Sequence, residues 1–327
     1  MTVNVAVVGT GRIARVHAEA YRHVSGARLT TCTDPNTAAA EAFAKDYGLR
    51  ISDGLDKILQ DDTIDAVLLA SPNAVHADQT IQALRAGKHV FCQKPISLTL
   101  ADADRVVEAA ADSDRILQHG FMLRFTPPLP GLKQRLADGE LGDPIAARAA
   151  VFGWEPTNDW FYDPAQGGGV ILDTLVHFGD LVQWLFGPAA TVYTAGGAYV
   201  LEGAKRHRSP DNATVTVTHE TGVVTSMYVT WTAGHGNFTI EAYGSKGGAA
   251  VDLVHAQAMR TFEKAHGWAY PDLVWDYGYR GEQQYFADRI TGRVDGTQAA
   301  TPRQARDALA LVLAAQRSLD EGTVVKP

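Results

Sequence analysis

Asp173 and His177 lie four residues apart, directly after the run Gly167-Gly168-Gly169. On a helix this spacing puts both side chains on one face. An imidazole beside a carboxylate can then act as a general acid or base near neutral pH. A satisfied core histidine and an Asp/His metal pair are the competing readings, and no further His or Cys clusters at ligand spacing to complete a metal set. The three glycines permit close approach of backbone to a ligand. A second chemical group is Lys94, whose direction is fixed by the rigid residue after it, Pro95, across a bond that can be cis. The alternative is an exposed loop lysine. The third feature is Gly9-Thr10-Gly11-Arg12-Ile13-Ala14, with Asp34 following 20 residues after Ala14. In that spacing Gly9 makes a tight turn, Gly11 lets backbone approach a pyrophosphate and Ala14 lets helix and strand pack closely, while Asp34 accepts from the adenosine ribose. Asp34 would repel a 2′-phosphate, and Pro35-Asn36 offers no Arg to neutralise one, so NAD is favoured over NADP.

These groups need elements to position them. Residues 3–8, 28–33, 65–70, 89–92 and 115–121 read as short strands, apolar on both faces, with helix-period stretches at 13–24, 37–47, 74–86 and 100–111. That alternation specifies a parallel sheet covered on both sides. Glycine loop, Asp34 and Lys94 then each follow a strand, at the carboxyl edge where open α/β sheets bind ligands. The texture changes after Phe121. A helix runs to about residue 139, and long strands at 145–154, 191–200, 213–219, 223–231, 238–243 and 249–253 suggest a mostly antiparallel sheet with one exposed face. Residues 302–319 form an amphipathic helix that can return to pack on the first domain. The stretch 199–212, with Lys205-Arg206-His207-Arg208, reads as a solvated basic loop or an anion-binding lid.

The chain has 327 residues, enough for two domains, with 46% hydrophobic and 20% charged residues, an ordinary globular composition. Its formal net charge of -8 leaves no basic excess for nucleic acid or anionic lipid. Cys32 and Cys92 sit in apolar runs and are expected to be buried reduced thiols. The N-terminus has no basic leader, and Gly9 ends its apolar stretch far short of a signal core or a membrane span, so the expectation is a cytoplasmic, soluble protein.

Taken together, these segments resemble the Gfo/Idh/MocA family, the relatives of glucose-fructose oxidoreductase and inositol dehydrogenase. The resemblance covers nearly the whole chain: the fingerprint at Gly9 to Ala14, Ser71-Pro72-Asn73-Ala74-Val75-His76, Gly87-Lys88-His89-Val90 leading into Lys94-Pro95, the segment from Gly167 to Asp180 and the final helix. It implies an NAD-binding Rossmann domain over residues 1–121, and an α+β domain over 122–327 that binds substrate and whose open sheet forms a homodimer or homotetramer. Lys94, Asp173 and His177 match the family's catalytic positions. Gly9, Gly11, Arg12, Ile13, Asp34, Ser71, Pro72, Asn73, His76 and Lys94 match its cofactor-binding positions, and Gln93 neighbours the nicotinamide. The family usually has Glu-Lys-Pro where this chain has Gln93-Lys94-Pro95, and loss of that negative charge should leave Lys94 easier to deprotonate.

The implied chemistry is reversible hydride transfer between a secondary alcohol of a sugar, inositol or related cyclic polyol and NAD. Residues 154–162 alternate aromatic faces with carboxylates and amides, which suits a polyol. Trp154, Asp159 and Trp160 are therefore substrate-binding candidates beside Arg124, Asp173 and His177. Hydrophobic core plus turn is the alternative for this loop, and a surface ion pair for Arg124. Trp231 and His235 are candidates for the far wall of the cleft. Two other functions fit the scaffold: a glycoside-cleaving enzyme that retains NAD and oxidises the sugar transiently, and a non-catalytic NAD/sugar sensor.

Overall fold

The computed structural model describes residues 2–153, 155–233, 237–253, 258–263, 267–269 and 278–327. The chain divides into two compact units, one of Met1–Phe125 with Gly278–Arg306 and the other of Thr126–Tyr277 with Asp307–Pro327.

The first unit alternates strand and helix, as its apolar runs require. Its elements are β1 (Val3–Val8), α1 (Arg12–Tyr21), β2 (Ala27–Thr33), α2 (Thr37–Tyr47), β3 (Arg50–Ile51), α3 (Leu55–Gln60), β4 (Ala66–Leu69), α4 (His76–Arg85), β5 (His89–Cys92), α5 (Leu100–Ala111) and β6 (Leu117–His119). All strand pairs are parallel, in the order β3-β2-β1-β4-β5-β6. That is the doubly wound dinucleotide-binding order, whose switch point lies between β1 and β4. Val5 and Val7 of β1 and Leu68 of β4 form the core with Ala14 and Ala18 of α1 and Phe43 of α2. The small Ala14, wholly buried, lets α1 lie close against the sheet.

The second unit contains α6 (Pro128–Ala137), β7 (Pro144–Phe152), α7 (Val176–Phe186), β8 (Ala189–Gly197), α8 (Glu202–His207), β9 (Asn212–His219), β10 (Val224–Thr230), β11 (Asn237–Gly244), β12 (Gly247–Asp252), β13 (Ala258–Glu263) and β14 (Gly267–Ala269). They build an eight-stranded sheet in the order β14-β13-β12-β11-β7-β10-β9-β8. Among the described residues of this sheet only β7 and β10 pair in parallel. The central strands alternate: Val215, Val217, Met227, Val229, Ala149, Val151 and Ile240 are buried, whereas Tyr193, Tyr228 and Tyr243 of the opposite face are exposed. Helix α7 lies on the buried face, with Phe178 against Phe238 at 6.0 Å between ring centroids. The chain closes with α9 (Tyr279–Ile290) in the first unit and α10 (Pro302–Glu321). From Asp307 onward α10 belongs to the second unit, where Val312 meets Gly179 of α7.

The structure departs from the sequence reading in three places. The segment Gly278–Arg306 joins the first unit, which is contributed mainly by α9 and not by the full length of the final helix. Residues 202–207 are helical and not loop. A π-helical turn, Ile171–Leu175, precedes α7 where one continuous α-helix was expected.

Candidate active site

The carboxyl edge of the first sheet carries the cofactor candidates. Gly9 adopts φ +87°, and a Cβ there would fall 2.7 Å from the Ala70 carbonyl oxygen, so only glycine fits. At Gly11 the situation is reversed, because no atom lies within 4 Å of the place a Cβ would occupy. Among the described residues no side chain caps the N-terminus of α1 at Gly11. Unpaired N–H groups at the positive end of the helix dipole are suited to a phosphate. Arg12 and Ile13 begin this helix. Asp34 is fixed against the same loop: its Oδ2 accepts from the Thr10 amide (2.8 Å) and hydroxyl (3.0 Å), and its Oδ1 accepts from the Asn36 amide (2.8 Å). Residues 9–13 and Asp34 therefore fit a dinucleotide.

At the end of β4, the Ser71 hydroxyl donates to Gln79 Oε1 (2.5 Å), and Pro72 leads into a tight turn at Asn73–Val75. His76 opens α4 and is fully buried, with one ring nitrogen on the Ser71 carbonyl (2.9 Å) and the other on the Pro95 carbonyl (2.8 Å). The Lys94-Pro95 bond is cis, and Lys94 is half-buried at the end of β5. Gln93 is buried with its carboxamide on the ring of His17, whose other nitrogen meets the carboxamide of Gln283 at 3.1 Å. Burial pushes the His17 imidazole down to about 3, leaving it neutral. His76 and Gln93, expected beside the cofactor, thus have neighbours inside the unit that sequence spacing could not show. Arg124 is also buried, its guanidinium donating to Gln304 Oε1 (3.1 Å) and its carbonyl accepting from Gln298 (2.8 Å), which replaces the expected alternative of a surface ion pair.

In the second unit Asp173 sits in the π-helical turn and His177 in the first turn of α7, both half-buried. The turn is held from the sheet side, where the buried Trp231 donates its indole N–H to Thr174 Oγ1 (2.8 Å). Trp231, a candidate for the cleft wall, supports this turn. The glycine run is corrected too. A Cβ at Gly167 would run into the backbone of Phe161, and one at Gly169, which has φ +73°, into Ser209 Oγ. These glycines admit the protein's own chain and not a ligand. Trp160 stacks on Phe161 with centroids 3.8 Å apart. Asp159 accepts from Arg206 and His207, each at 2.8 Å, and the His207 hydrogen bond draws its pKa below the usual carboxylate value. Three of the four residues of the basic tract are therefore paired, Lys205 with Glu202 at 2.8 Å. Trp154 and His235 lie outside the described residues.

The model of the Gfo/Idh/MocA oxidoreductase family, NAD-binding Rossmann fold, matches residues 3–121, and that of the family's C-terminal domain matches residues 131–250. An inositol 2-dehydrogenase of Rhizobium meliloti is 32% identical over 257 residues, covering 77% of this chain and 76% of the relative. The chain belongs to the Gfo/Idh/MocA family. A scyllo-inositol 2-dehydrogenase (NAD(+)) of Bacillus subtilis is 28% identical over 338 residues, 99% of this chain and 96% of its own. Among solved structures, GenD2 from gentamicin A biosynthesis in complex with NAD superposes with a TM-score of 0.88 at 27% identity, over 100% of this chain and 96% of that one. As a Gfo/Idh/MocA member, the protein is an oxidoreductase whose six-stranded sheet is an NAD-binding Rossmann fold. Among its described residues no helix is long and apolar enough to cross a membrane.

Proposed function

We propose that the protein is a dehydrogenase of an inositol or related cyclic polyol that prefers NAD to NADP. The observation that carries the reading is the arrangement along one sheet edge: the glycine loop after β1, Asp34 after β2, Ser71 after β4 and Lys94 after β5 all stand at the carboxyl ends of adjacent parallel strands. The amides at Gly11 and the start of α1 would hold the pyrophosphate. A carboxylate has about four lone-pair directions, and three of those on Asp34 are used within the protein. The remaining one would accept from a ribose hydroxyl, and its charge would disfavour a 2′-phosphate.

When bound, NAD supplies the hydride acceptor. His177 takes the proton of the substrate hydroxyl as its carbon gives up hydride. Asp173, on the neighbouring turn, orients the imidazole or holds a second hydroxyl. Lys94 donates a hydrogen bond to the reacting oxygen, and in the reverse direction the proton returns to that oxygen from His177. The polyol class is supported by the inositol dehydrogenases of Rhizobium meliloti and Bacillus subtilis described above, and Trp160 offers a face for the C–H side of a ring. The Tyr-bearing face of the second sheet is the surface through which we expect two or four copies to associate, and two buried reduced thiols agree with a cytoplasmic setting.

The test is a panel of inositols, aldoses, aldonates and anhydrosugars incubated with NAD and, separately, NADP, read by nicotinamide absorbance. Net NADH formation from a cyclic polyol is expected. Release of a free sugar from a glycoside without net NADH, or no turnover with any member while NAD binds tightly, would replace the proposal with the glycoside-cleaving or the sensor function.

A further inference from the structure

We propose that Gln93 is a positioning residue for Lys94: its carboxamide, held by His17 of α1 and through that ring by Gln283 of α9, fixes the end of β5 that carries the lysine. The role of Lys94 itself rests on the function proposed above. Gln93 is tied down twice. Its backbone amide donates to the Leu69 carbonyl (3.0 Å), extending the pairing of β5 with β4 by one residue. Its buried side chain meets His17 Nε2 through the carboxamide nitrogen. Gly120, directly after β6, makes the room: a Cβ there would fall 2.9 Å from that nitrogen and 3.2 Å from Oε1. Gly120 is outside the positive-φ glycines, so it is the space taken by Gln93, and not the backbone, that calls for glycine.

The ring of His17 is the middle of a chain. It is wholly buried, with the rings of Phe91 and Tyr279 packed edge-on at 5.3 and 5.6 Å between centroids. On its other side, Gln283 Nε2 lies 3.1 Å from Nδ1. A carboxamide nitrogen only donates, and an imidazole has at most one nitrogen able to accept, so one of the two carboxamides must turn its oxygen to the ring. Gln283 is the one. Among the described residues its buried Oε1 has no hydrogen-bond partner, and a half-turn of the carboxamide sets that oxygen at Nδ1. Gln93 then donates to Nε2, and Nδ1 carries the single ring proton toward Gln283. Glu282 Oε1, 3.9 Å from Nδ1, lies near the same nitrogen. Burial agrees with one ring proton, since it holds the imidazole neutral down to about pH 3.

The mechanical consequence follows from where the three residues stand. His17 is in the second turn of α1, the helix that begins after Gly11, Gln283 is in α9, and Gln93 directly follows β5. One chain of side chains thus ties the end of β5 to two helices. A buried donor or acceptor left alone bears its full desolvation cost, so these bonds hold one arrangement. The residue after Gln93 is Lys94, and the chain fixes its backbone without itself touching substrate.

The experiment joins nitrogen NMR of the full chain to a double-mutant cycle. In the wild type at neutral pH, His17 should carry its proton on Nδ1 alone. Gln93→Met keeps the length of the side chain without its donor, and Gln283→Ala removes the far end of the chain. Both should lower kcat, Gln93→Met by roughly 10- to 100-fold, because small misplacement of a reacting group costs up to about 10²-fold. KM and NADH affinity should change little. The double variant should lose no more than Gln93→Met alone, since the two act through one ring. A wild-type proton on Nε2, or on both nitrogens, would overturn the chain, and this spectrum decides it even if a variant folds poorly. Losses that multiply in the double variant, an undiminished kcat in Gln93→Met, or a fall in NADH affinity in place of kcat would overturn the positioning role. If the wild type turns over no polyol, the proposed function fails separately; positioning is then judged by the Lys94 backbone amide shift, which Gln283→Ala must move.

Discussion

Asp34 connects the residue scale to cofactor choice, because the same carboxylate that fixes the glycine loop through Thr10 would face the ribose. A like charge placed against a 2′-phosphate costs several kcal/mol. Replacing Asp34 by Ala should raise the NADP:NAD ratio of kcat/KM by roughly 10- to 100-fold, at about 1.4 kcal/mol per tenfold; an unchanged ratio would remove Asp34 from cofactor discrimination. His17 makes a pH prediction. Its folded pKa, about 3, lies below the ordinary 6.5 because burial disfavours the charged ring. The unfolded chain therefore binds one more proton between those values, and stability, full above pH 6.5, is lost as pH falls toward 3. The slope from this group is about 1.4 kcal/mol per pH unit. Urea melts of His17→Gln against wild type across this range should differ by one proton, and parallel curves would contradict a neutral buried His17. At this scale the sequence revealed which residue types and spacings could carry chemistry, such as Lys94-Pro95 and the Asp173/His177 pair. It could not reveal that Gln93 faces His17, a partner 76 residues away.

At the scale of elements, the π-helical turn that carries Asp173 was hidden because residues four apart share a face in either kind of turn. Such turns are rare and frequent at functional sites. Its support, the indole of Trp231 on Thr174, joins residues 57 apart in sequence. Trp231→Phe removes this donor from a buried setting and should cost about 1–3 kcal/mol, seen as a lower denaturant midpoint, with kcat reduced more than KM is raised. Full stability and kcat would show that the turn holds itself. Gly169→Ala meets Ser209 and has a positive φ, so it should destabilise the protein, whereas Gly11→Ala should not, since it faces open space; melting temperatures of the two variants check the contrast, and nucleotide affinity should fall only for Gly11→Ala. Helix α9 escaped the sequence reading for a physical reason. Its buried face includes Glu282 and Gln283 as well as Phe286 and Ala287, so burial there does not follow the apolar period.

For the whole molecule, strand–helix alternation made the parallel sheet legible, and period-two patterning made the second sheet legible. Chain return was expected of the helix at 302–319, whereas the segment that joins the first unit is 278–306, and nothing in the composition of its earlier part marks it for that place. The exposed face of the second sheet presents Tyr193, Tyr228 and Tyr243 around the Arg148–Glu241 ion pair (2.8 Å). Tyr228→Asp places a charge on that face and should shift the protein toward monomer in light scattering, while a wild type that is already monomeric would remove the proposed interface. The central claim is that Lys94 acts on the reacting oxygen of a polyol. The most direct measurement is single-turnover NADH formation by Lys94→Met beside the wild type, with NADH affinity determined on both. The account predicts equal NADH affinity and hydride transfer slowed by about 10²–10⁴-fold, the range for a positioned acid–base group; unimpaired transfer in Lys94→Met would contradict it.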